Sequence, residues 1–230
     1  MKVLAFDTSS TALSVALLNG DKVMAEQTLN IKKNHSISLM PTIDFLMKQL
    51  DLAPTDLERI AVAEGPGSYT GLRVAVATAK TMAYTLGIDL VGVSSLQALC
   101  PKTEGLVIPV MDARRNNVYA GFYENGRAVR QDCHINFTIL LEQLKDMTQV
   151  TFVGEVEAFR SQIVEALPNA RIQQTLPSAT RIGKIGQSLS PVSAHAFVPE
   201  YLKKVEAEEN WLKTNQEVET TYIKRVYDER

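Results

Sequence analysis

Short apolar runs separated by polar turns fill the first thirty residues of the chain and predict three β-strands. The second and third runs are joined by Asn19-Gly20-Asp21, a sequence that favours a tight hairpin turn. We therefore expect the chain to open with an antiparallel meander of three strands: Val3–Phe6, Leu13–Leu18 and Val23–Ile31.

Helical periodicity follows the meander twice. The first predicted helix runs from His35 to Leu50, and Pro41 inside it implies a kink or a late helix start. One side of this helix carries apolar residues at three- and four-residue spacing: Leu39, Met40, Ile43, Leu46, Met47 and Leu50. The second predicted helix runs from about Thr70 to Leu86, where Gly87 ends it. Strands at 60–63 and 89–93 flank the second helix, and a short helix over 96–99 follows.

The second helix has two sides of different composition. Its core stripe is apolar and consists of Leu72, Ala75, Val76, Ala79, Met82, Ala83 and Leu86. The opposite side is small or amphipathic and uncharged, whereas a solvated helix face normally carries Glu and Lys. Either the helix is buried within its own fold, or this side binds another protein. The predicted partner surface joins residues of both helices: Leu39, Ile43, Leu46, Tyr69, Arg73, Val74, Ala77, Thr78, Lys80, Thr81 and Tyr84.

The same pattern restarts after residues 101–105, where Pro-Lys-Thr-Glu-Gly marks a domain boundary. A second three-strand meander is predicted at Leu106–Met111, Val118–Tyr123 and Ala128–Gln131. The elements predicted after it are helices at Phe137–Met147, Glu157–Ala166 and Ile182–Leu189, and a strand at Val150–Val153. The predicted units are residues 1–105, residues 106–204 and a charged tail over residues 205–230.

Composition narrows the class of protein. The chain has 230 residues, 45% of them hydrophobic, and a net charge of −2, so it offers no overall basic footprint for nucleic acid. Cys100 and Cys133 are far apart and lack the spacing of a metal site. The first residues do not form a signal peptide, and no apolar run is long enough to span a bilayer. We expect a cytoplasmic protein without membrane association.

A glycine-rich loop, Glu64-Gly65-Pro66-Gly67-Ser68-Tyr69-Thr70-Gly71-Leu72-Arg73, connects a strand to the second helix. This arrangement suits an anion, but the loop lacks the Lys-Ser/Thr pair of a P-loop. Its glycines are better explained by a tight turn that lets the helix approach the sheet, with Ser68 or Thr70 as the helix cap.

In each half of the chain, a polar turn follows the first strand. Asp7-Thr8-Ser9 has hydroxyls, backbone amides and a carboxylate that suit a nucleotide phosphate with magnesium. The alternative is an Asx turn that satisfies its own backbone. Asp112 and Arg114 form the second turn, which suits a nucleotide, tRNA or a partner chain, or a solvated Asp–Arg pair.

Four motifs together resemble the bacterial TsaB (YeaZ) family: Phe6–Ser9, Gly65–Arg73, Met111–Tyr119 and Pro199–Lys203. The resemblance covers roughly Met1 to Lys203. It implies an α/β fold of the sugar kinase, Hsp70 and actin-like superfamily, with two ribonuclease-H-like domains.

The resemblance also implies a function in tRNA modification. Members act with a catalytic homologue, TsaD, and an ATPase, TsaE, to attach a threonylcarbamoyl group to N6 of the tRNA adenosine beside the anticodon. Where TsaD has a His-x-x-x-His metal motif, this chain has Ser95 and Leu99, which are poor metal ligands. The implied role is a non-catalytic scaffold that binds TsaD through the two first-half helices.

Further implications concern partners and cofactors. The chain is expected to form a homodimer when alone and to meet tRNA through the complex. No cofactor is expected to be required, although binding of ATP or ADP at an interface of the complex is compatible with the resemblance. The rival hypothesis is an enzyme in its own right, either a metal-dependent peptidase or a nucleotide-using transferase of the same superfamily. The residues around Ser68 do not form a Gly-x-Ser-x-Gly motif, so the sequence gives no support for nucleophilic catalysis.

Overall fold

The computed structural model describes residues 1–31 and 35–203, so the predicted tail over 205–230 lies outside the described residues. Within that part of the chain, two five-stranded sheets repeat one arrangement. In each, three antiparallel strands form a meander, a fourth strand pairs in parallel with the first strand of the meander, and a fifth pairs in parallel with the fourth. The sheets define two lobes, each an α/β unit with its own core.

The first sheet has the order β3-β2-β1-β4-β5. Its strands are β1 (Lys2–Asp7), β2 (Leu13–Asn19), β3 (Lys22–Leu29), β4 (Arg59–Gly65) and β5 (Asp89–Ser94). One face packs against α1 (His35–Gln49) and α2 (Tyr69–Leu86). The other face is covered by α3 (Ser95–Leu99) and α6 (Ala179–Gly186). Because both faces are covered, the central strand β1 is continuously apolar from Val3 to Phe6 rather than alternating.

The second sheet has the order β10-β9-β6-β7-β8. Its strands are β6 (Leu106–Asp112), β7 (Asn117–Glu124), β8 (Arg127–Asn136), β9 (Val150–Gly154) and β10 (Arg171–Gln174). Its helices are α4 (Phe137–Leu144) and α5 (Arg160–Ala166), and Phe137, Leu140 and Ile163 join them to the core. The helix α3 lies between the two sheets, where Leu96 and Leu99 contact Val107 and Tyr123.

Most of the predicted elements are confirmed, including both meanders and the two first-lobe helices. Ser68 caps α2, and Gly87 ends it with a left-handed φ of 66°. The helix predicted at Ile182–Leu189 is displaced, because Ser178 caps it and it begins at Ala179. Strand β10 was not predicted, since this short edge strand has mostly exposed, polar side chains and no apolar alternation.

The C-terminal part of the predicted second unit, residues 106–204, includes segments that pack on the first lobe. Helix α6 packs on β1, β2 and β4 of the first lobe. Gly183 allows this close approach, since a Cβ there would collide with Leu18. The segment that follows, residues 187–203, also runs along the first lobe and is called the strap below; Val192 N–H donates to the Leu90 carbonyl at 2.8 Å. The sequence did not predict that the chain returns to the first lobe, because the residues of α6 carry no local signal of the lobe on which the helix packs.

Candidate partner surface and interlobe cleft

The outer surface of α1 differs from the prediction. Leu39, Ile43 and Leu46 are buried in the core of the first lobe, so they are not available to a partner. The helical period instead turns other apolar side chains outward. Three of these are exposed: Ile37 (67%), Met40 (47%) and Phe45 (52%).

The outer surface of α2 carries the uncharged side chains that the sequence indicated. The core stripe is buried at Leu72, Ala75, Val76, Ala79 and Ala83. On the opposite side, Ala77, Thr81 and Tyr84 are exposed, while Val74 and Thr78 are half-buried. Helices α1 and α2 contact each other. We call six of their exposed, uncharged residues the docking face: Ile37, Met40, Phe45, Ala77, Thr81 and Tyr84.

The two cations of α2 have partners within the chain. Lys80 Nζ donates to the Phe197 carbonyl at 2.6 Å and to the His195 carbonyl at 3.2 Å, so it fastens the strap to the helix. The Arg73 guanidinium lies 4.8 Å from the centroid of the Tyr69 ring. Tyr69 in turn stacks on Tyr201 of the strap at 5.0 Å. Lys80 and Tyr69, both assigned to the predicted partner surface, therefore also attach the strap to the first lobe.

The glycine-rich loop packs directly onto the turn after β1. Ser68 N–H donates to the Ser9 carbonyl at 2.7 Å, and Thr8 Oγ1 donates to the Gly71 carbonyl at 2.7 Å. A Cβ at Gly71 would collide with the Thr8 carbonyl, and one at Gly67 with the Ser9 carbonyl. These contacts explain the glycines by close packing rather than by phosphate binding.

The same packing buries the predicted nucleotide-binding residues of the first turn. Asp7 and Thr8 are fully buried, and Asp7 Oδ1 accepts the Ser9 N–H at 2.6 Å in an Asx turn. Burial raises the pKa of Asp7 to about 6, against the opposing effect of its hydrogen bonds to Ser9. Asp7 and Thr8 are thus absent from the cleft wall, and nucleotide binding by these two residues stays a prediction.

A cleft of about 730 Å³ separates the lobes. Ser9, Ser10 and Thr11 line it from the first lobe, together with Ser68 and Tyr69. The second lobe and the strap contribute Asp112, Arg114, Tyr119, Glu155, Glu157, Tyr201 and Lys203. Three of the predicted nucleotide residues, Ser9, Asp112 and Arg114, therefore lie at one cavity.

The second turn is tightly organised within this cleft. Asp112 Oδ1 accepts the Arg114 N–H at 2.8 Å, and Arg114 Nη1 donates to Asp112 Oδ2 at 3.1 Å. Glu155 Oε2 accepts the Asp112 N–H at 2.9 Å, and burial raises the pKa of Glu155. Three carboxyl groups line the cleft beside the cations Arg114 and Lys203, so a bound metal cation would strengthen the binding of a phosphate here.

Sequence analysis missed a polar cluster between the lobes. Ser94 at the end of β5 donates to Asp132 Oδ2 on β8, and Tyr123 Oη donates to Asp132 Oδ1 at 2.8 Å. Burial raises the pKa of Asp132, while these two hydrogen bonds oppose the rise. Asp132 lies in a run of polar residues, Arg130-Gln131-Asp132, so no local signal distinguished it from a solvated strand.

Two negative findings apply to residues 1–31 and 35–203. No three His, Cys, Asp or Glu side chains there gather closely enough to hold a metal ion. None of the helices in that part of the chain combines the length and apolar character needed to cross a membrane.

Two lobes that repeat one strand order around a cleft place this chain in the actin-like class of α/β proteins. A family of TsaD-type proteins, described as tRNA N6-adenosine threonylcarbamoyltransferase, matches residues 22–211. A crystal structure of a Pseudomonas aeruginosa protein described as similar to peptidase YEAZ superposes with a TM-score of 0.74 at 25% identity, covering 88% of this chain and 99% of that chain.

Curated relatives identify the family within this class. TsaB of Bacillus subtilis is 38% identical over 229 residues, which cover 94% of this chain and 100% of the relative. TsaB of Escherichia coli is 32% identical over 134 residues, or 55% of this chain and 58% of that protein. The chain therefore belongs to the TsaB family, whose curated members are named for tRNA threonylcarbamoyladenosine biosynthesis.

Proposed function

We propose that this chain is a non-catalytic subunit of the threonylcarbamoyl transfer complex and binds a TsaD-type catalytic partner through the docking face. The observation that carries the proposal is the cluster of exposed apolar side chains on two adjacent helices. Phe45 and Ile37 are 52% and 67% exposed on α1, and Tyr84 is 67% exposed on α2. A partner with the same fold presents two matching helices, so that four helices bury these side chains together.

The positions aligned with the TsaD metal motif support the non-catalytic role. Ser95 and Leu99 are both buried on α3, and Leu99 belongs to the core between the sheets. Neither side chain faces the cleft. In this proposal the chain acts by holding TsaD in its active form, and the chemistry takes place on TsaD.

The remaining partners follow from the same proposal. Without TsaD, the docking face pairs with a second copy of the chain, because the two proteins share a fold. TsaE and tRNA join through the assembled complex in the cytoplasm. The chain needs no cofactor of its own, and ATP or ADP binds where the cleft meets a partner.

A charge placed on the docking face tests the proposal. Ala77→Glu adds a carboxylate at an exposed position, so the fold is expected to survive while partner binding weakens by at least about tenfold through burial of an unpaired charge. Val74→Asp is a less clean variant, because Val74 packs against the core. Binding to purified TsaD and homodimerisation would be measured by calorimetry and analytical ultracentrifugation.

Val164→Glu is the matched control, because Val164 is also an exposed apolar residue on a helix but belongs to α5 of the second lobe. We expect this variant to bind TsaD normally. Unchanged affinity in a folded Ala77→Glu protein would show that the docking face is wrongly assigned.

The cleft favours one second candidate, a nucleotide-using transferase of the same superfamily. Its size and hydroxyl lining suit a nucleotide, and a cation bound by its carboxyl groups would strengthen that binding. Titration of the isolated protein with ATP and magnesium distinguishes the two functions. Tight binding with turnover that is lost in Asp112→Ala would favour the enzyme.

A further inference from the structure

The C-terminal half of the strap runs along α2 in the opposite direction. Near the C-terminal end of the helix, the rings of His195 and Tyr84 make an edge contact with 5.0 Å between their centroids. One turn earlier in the helix, Lys80 Nζ donates to the His195 carbonyl at 3.2 Å. At the first turn of the helix, Tyr201 stacks on Tyr69. The strap therefore lies beside α2 over most of the length of the helix.

This part of the strap is held firmly against the first lobe. Phe197 is buried in the core of that lobe. The Glu200 carbonyl packs so closely on Gly65 that a Cβ there would collide with it. The Arg73 guanidinium donates a hydrogen bond to the Tyr201 hydroxyl. Because the conformation of the strap is fixed before any partner binds, little conformational entropy is lost when a partner covers it.

The same part of the strap presents apolar side chains to solvent. Val198 is 65% exposed, and Ala196 is exposed two residues before it. Strand β3, which also contacts α1, differs in composition. It exposes mainly charged and polar side chains, such as Lys22, Glu26 and Thr28. The uncharged surface of the two helices therefore continues onto the strap rather than onto β3.

A pocket joins the strap to the docking face. It has a volume of about 200 Å³ and is lined by Lys80, Thr81 and Tyr84 of α2 and by Ala194 and His195 of the strap. Thr81 and Tyr84 belong to the docking face, so the two surfaces are continuous. Side chains that fill such pockets often contribute most of the binding free energy at an interface. The pocket therefore suits a large apolar side chain of a partner.

The docking face by itself is smaller than an ordinary interface. Stable protein–protein interfaces bury about 800 Å² on each partner and involve roughly 20–30 residues a side. The docking face has six residues, so a stable complex must cover neighbouring surface as well. The strap is the neighbour that combines exposed apolar side chains with a fixed backbone.

We propose that strap residues 194–198 are a third element of the partner surface, which the TsaD-type partner covers together with α1 and α2. The partner places a large apolar side chain in the pocket between Tyr84 and His195 and packs against Val198. This contact rests on the docking face of the proposed function and adds to it a segment outside the two helices.

Val198→Glu in the full-length chain tests this contact, because the residue is exposed and the fold is expected to survive the change. We expect the variant to bind purified TsaD about tenfold more weakly, since the interface would bury an unpaired carboxylate. Val129→Glu is the matched control: Val129 is 50% exposed on the extended strand β8 of the second lobe, and this variant should bind normally. Calorimetry measures the affinities, and urea denaturation checks that each variant is folded.

His195→Ala is a second, milder variant. It removes a ring that lines the pocket but keeps the backbone carbonyl to which Lys80 donates. We expect it to bind TsaD about threefold to fivefold more weakly.

Comparison with Ala77→Glu separates this contact from the proposed function. Normal TsaD binding by both strap variants, together with weak binding by Ala77→Glu, would overturn the strap contact and leave the proposed function standing. Normal binding by all three variants would contradict both. Strap variants that bind TsaD normally but form the homodimer less readily would assign the strap to a second copy of the chain, and the proposed contact with TsaD would be wrong.

Discussion

The two lobes end their first strands with the same residue and surround it differently. Asp7 closes β1 beneath the glycine-rich loop and is fully buried, whereas the Asp112 side chain at the end of β6 is 29% exposed beside Arg114. In the first lobe Gly67 and Gly71 bring α2 down onto the turn. The second turn instead forms part of the cleft wall. Equivalent aspartates in the two lobes therefore differ: the one in the first lobe is buried and structural, and the one in the second lobe is accessible from the cleft.

The largest expected effect comes from separating α2 from the first turn. Gly71→Ala would place a Cβ against the Thr8 carbonyl, and backbone atoms cannot move aside cheaply. We expect a loss of more than about 3 kcal/mol in the free energy of unfolding, measured by urea denaturation. Ala77→Ser on the exposed side of the same helix is the control and should change stability by less than about 0.5 kcal/mol. Equal stability of Gly71→Ala and wild type would show that the close approach is unimportant.

Neutralising the two aspartates is expected to change stability by different amounts. Because burial raises the pKa of Asp7 to about 6, ionising it costs stability progressively from about pH 4 to pH 6. Asp7→Asn keeps an acceptor for the Ser9 N–H and avoids this cost, so it should be about 1–3 kcal/mol more stable than wild type at pH 8 and similar at pH 4.

Asp112→Asn supplies the comparison, since its pair with Arg114 lies largely in solvent. We expect a change below about 1 kcal/mol at either pH. Denaturant titrations at pH 4 and pH 8 measure both variants. A destabilised Asp7→Asn protein at pH 8 would mean that the charge of Asp7 has a favourable partner in solution.

A smaller effect is expected from the hydrogen bond between the first turn and α2. Thr8→Val preserves the shape of the side chain but removes the donor to the Gly71 carbonyl. Because both groups are buried, we expect a loss of about 1–2 kcal/mol, measured by thermal and urea unfolding. No loss would imply that the Gly71 carbonyl finds another donor.

The smallest effect is expected at the exposed turn. Arg114→Ala removes a guanidinium that is 86% exposed and bonded to Asp112. We expect a change of less than about 0.5 kcal/mol in stability, since exposed pairs contribute little. A larger loss would show that the second turn is as constrained as the first.

Much of the fold could be predicted from local patterns. Short apolar runs separated by polar turns, together with the Asn19-Gly20 turn, located the first meander. Ser68 and Gly87 located the ends of α2. These signals depend on neighbouring residues alone. Strand β10 lacked them because it is a polar edge strand. The return of α6 to the first lobe depends on packing between segments more than 150 residues apart, as between Ser14 and Ala179.

The candidate site was predictable only in part. The uncharged outer side of α2 was visible in the sequence, and the structure exposes Ala77, Thr81 and Tyr84 there. On α1 the residues predicted for the partner surface, Leu39, Ile43 and Leu46, lie in the core. Of the outward residues, Ile37 and Phe45 fall off the predicted apolar stripe, whereas Met40 was assigned to it. An apolar side chain does not itself reveal whether it packs inward or outward when both sides of a helix are apolar.

The sequence by itself determined the alternation of strands and helices, the caps of α2 and the motifs that identify the TsaB family, because these depend on local periodicity and residue type. Only the tertiary structure decided that Asp7 is buried while Asp112 lines a cleft, and that Asp132 meets Ser94 and Tyr123. Burial and electrostatic coupling depend on which distant segments meet. The glycine-rich loop shows the distinction: its glycines were plain in the sequence, but their purpose appeared only when α2 met the turn after β1.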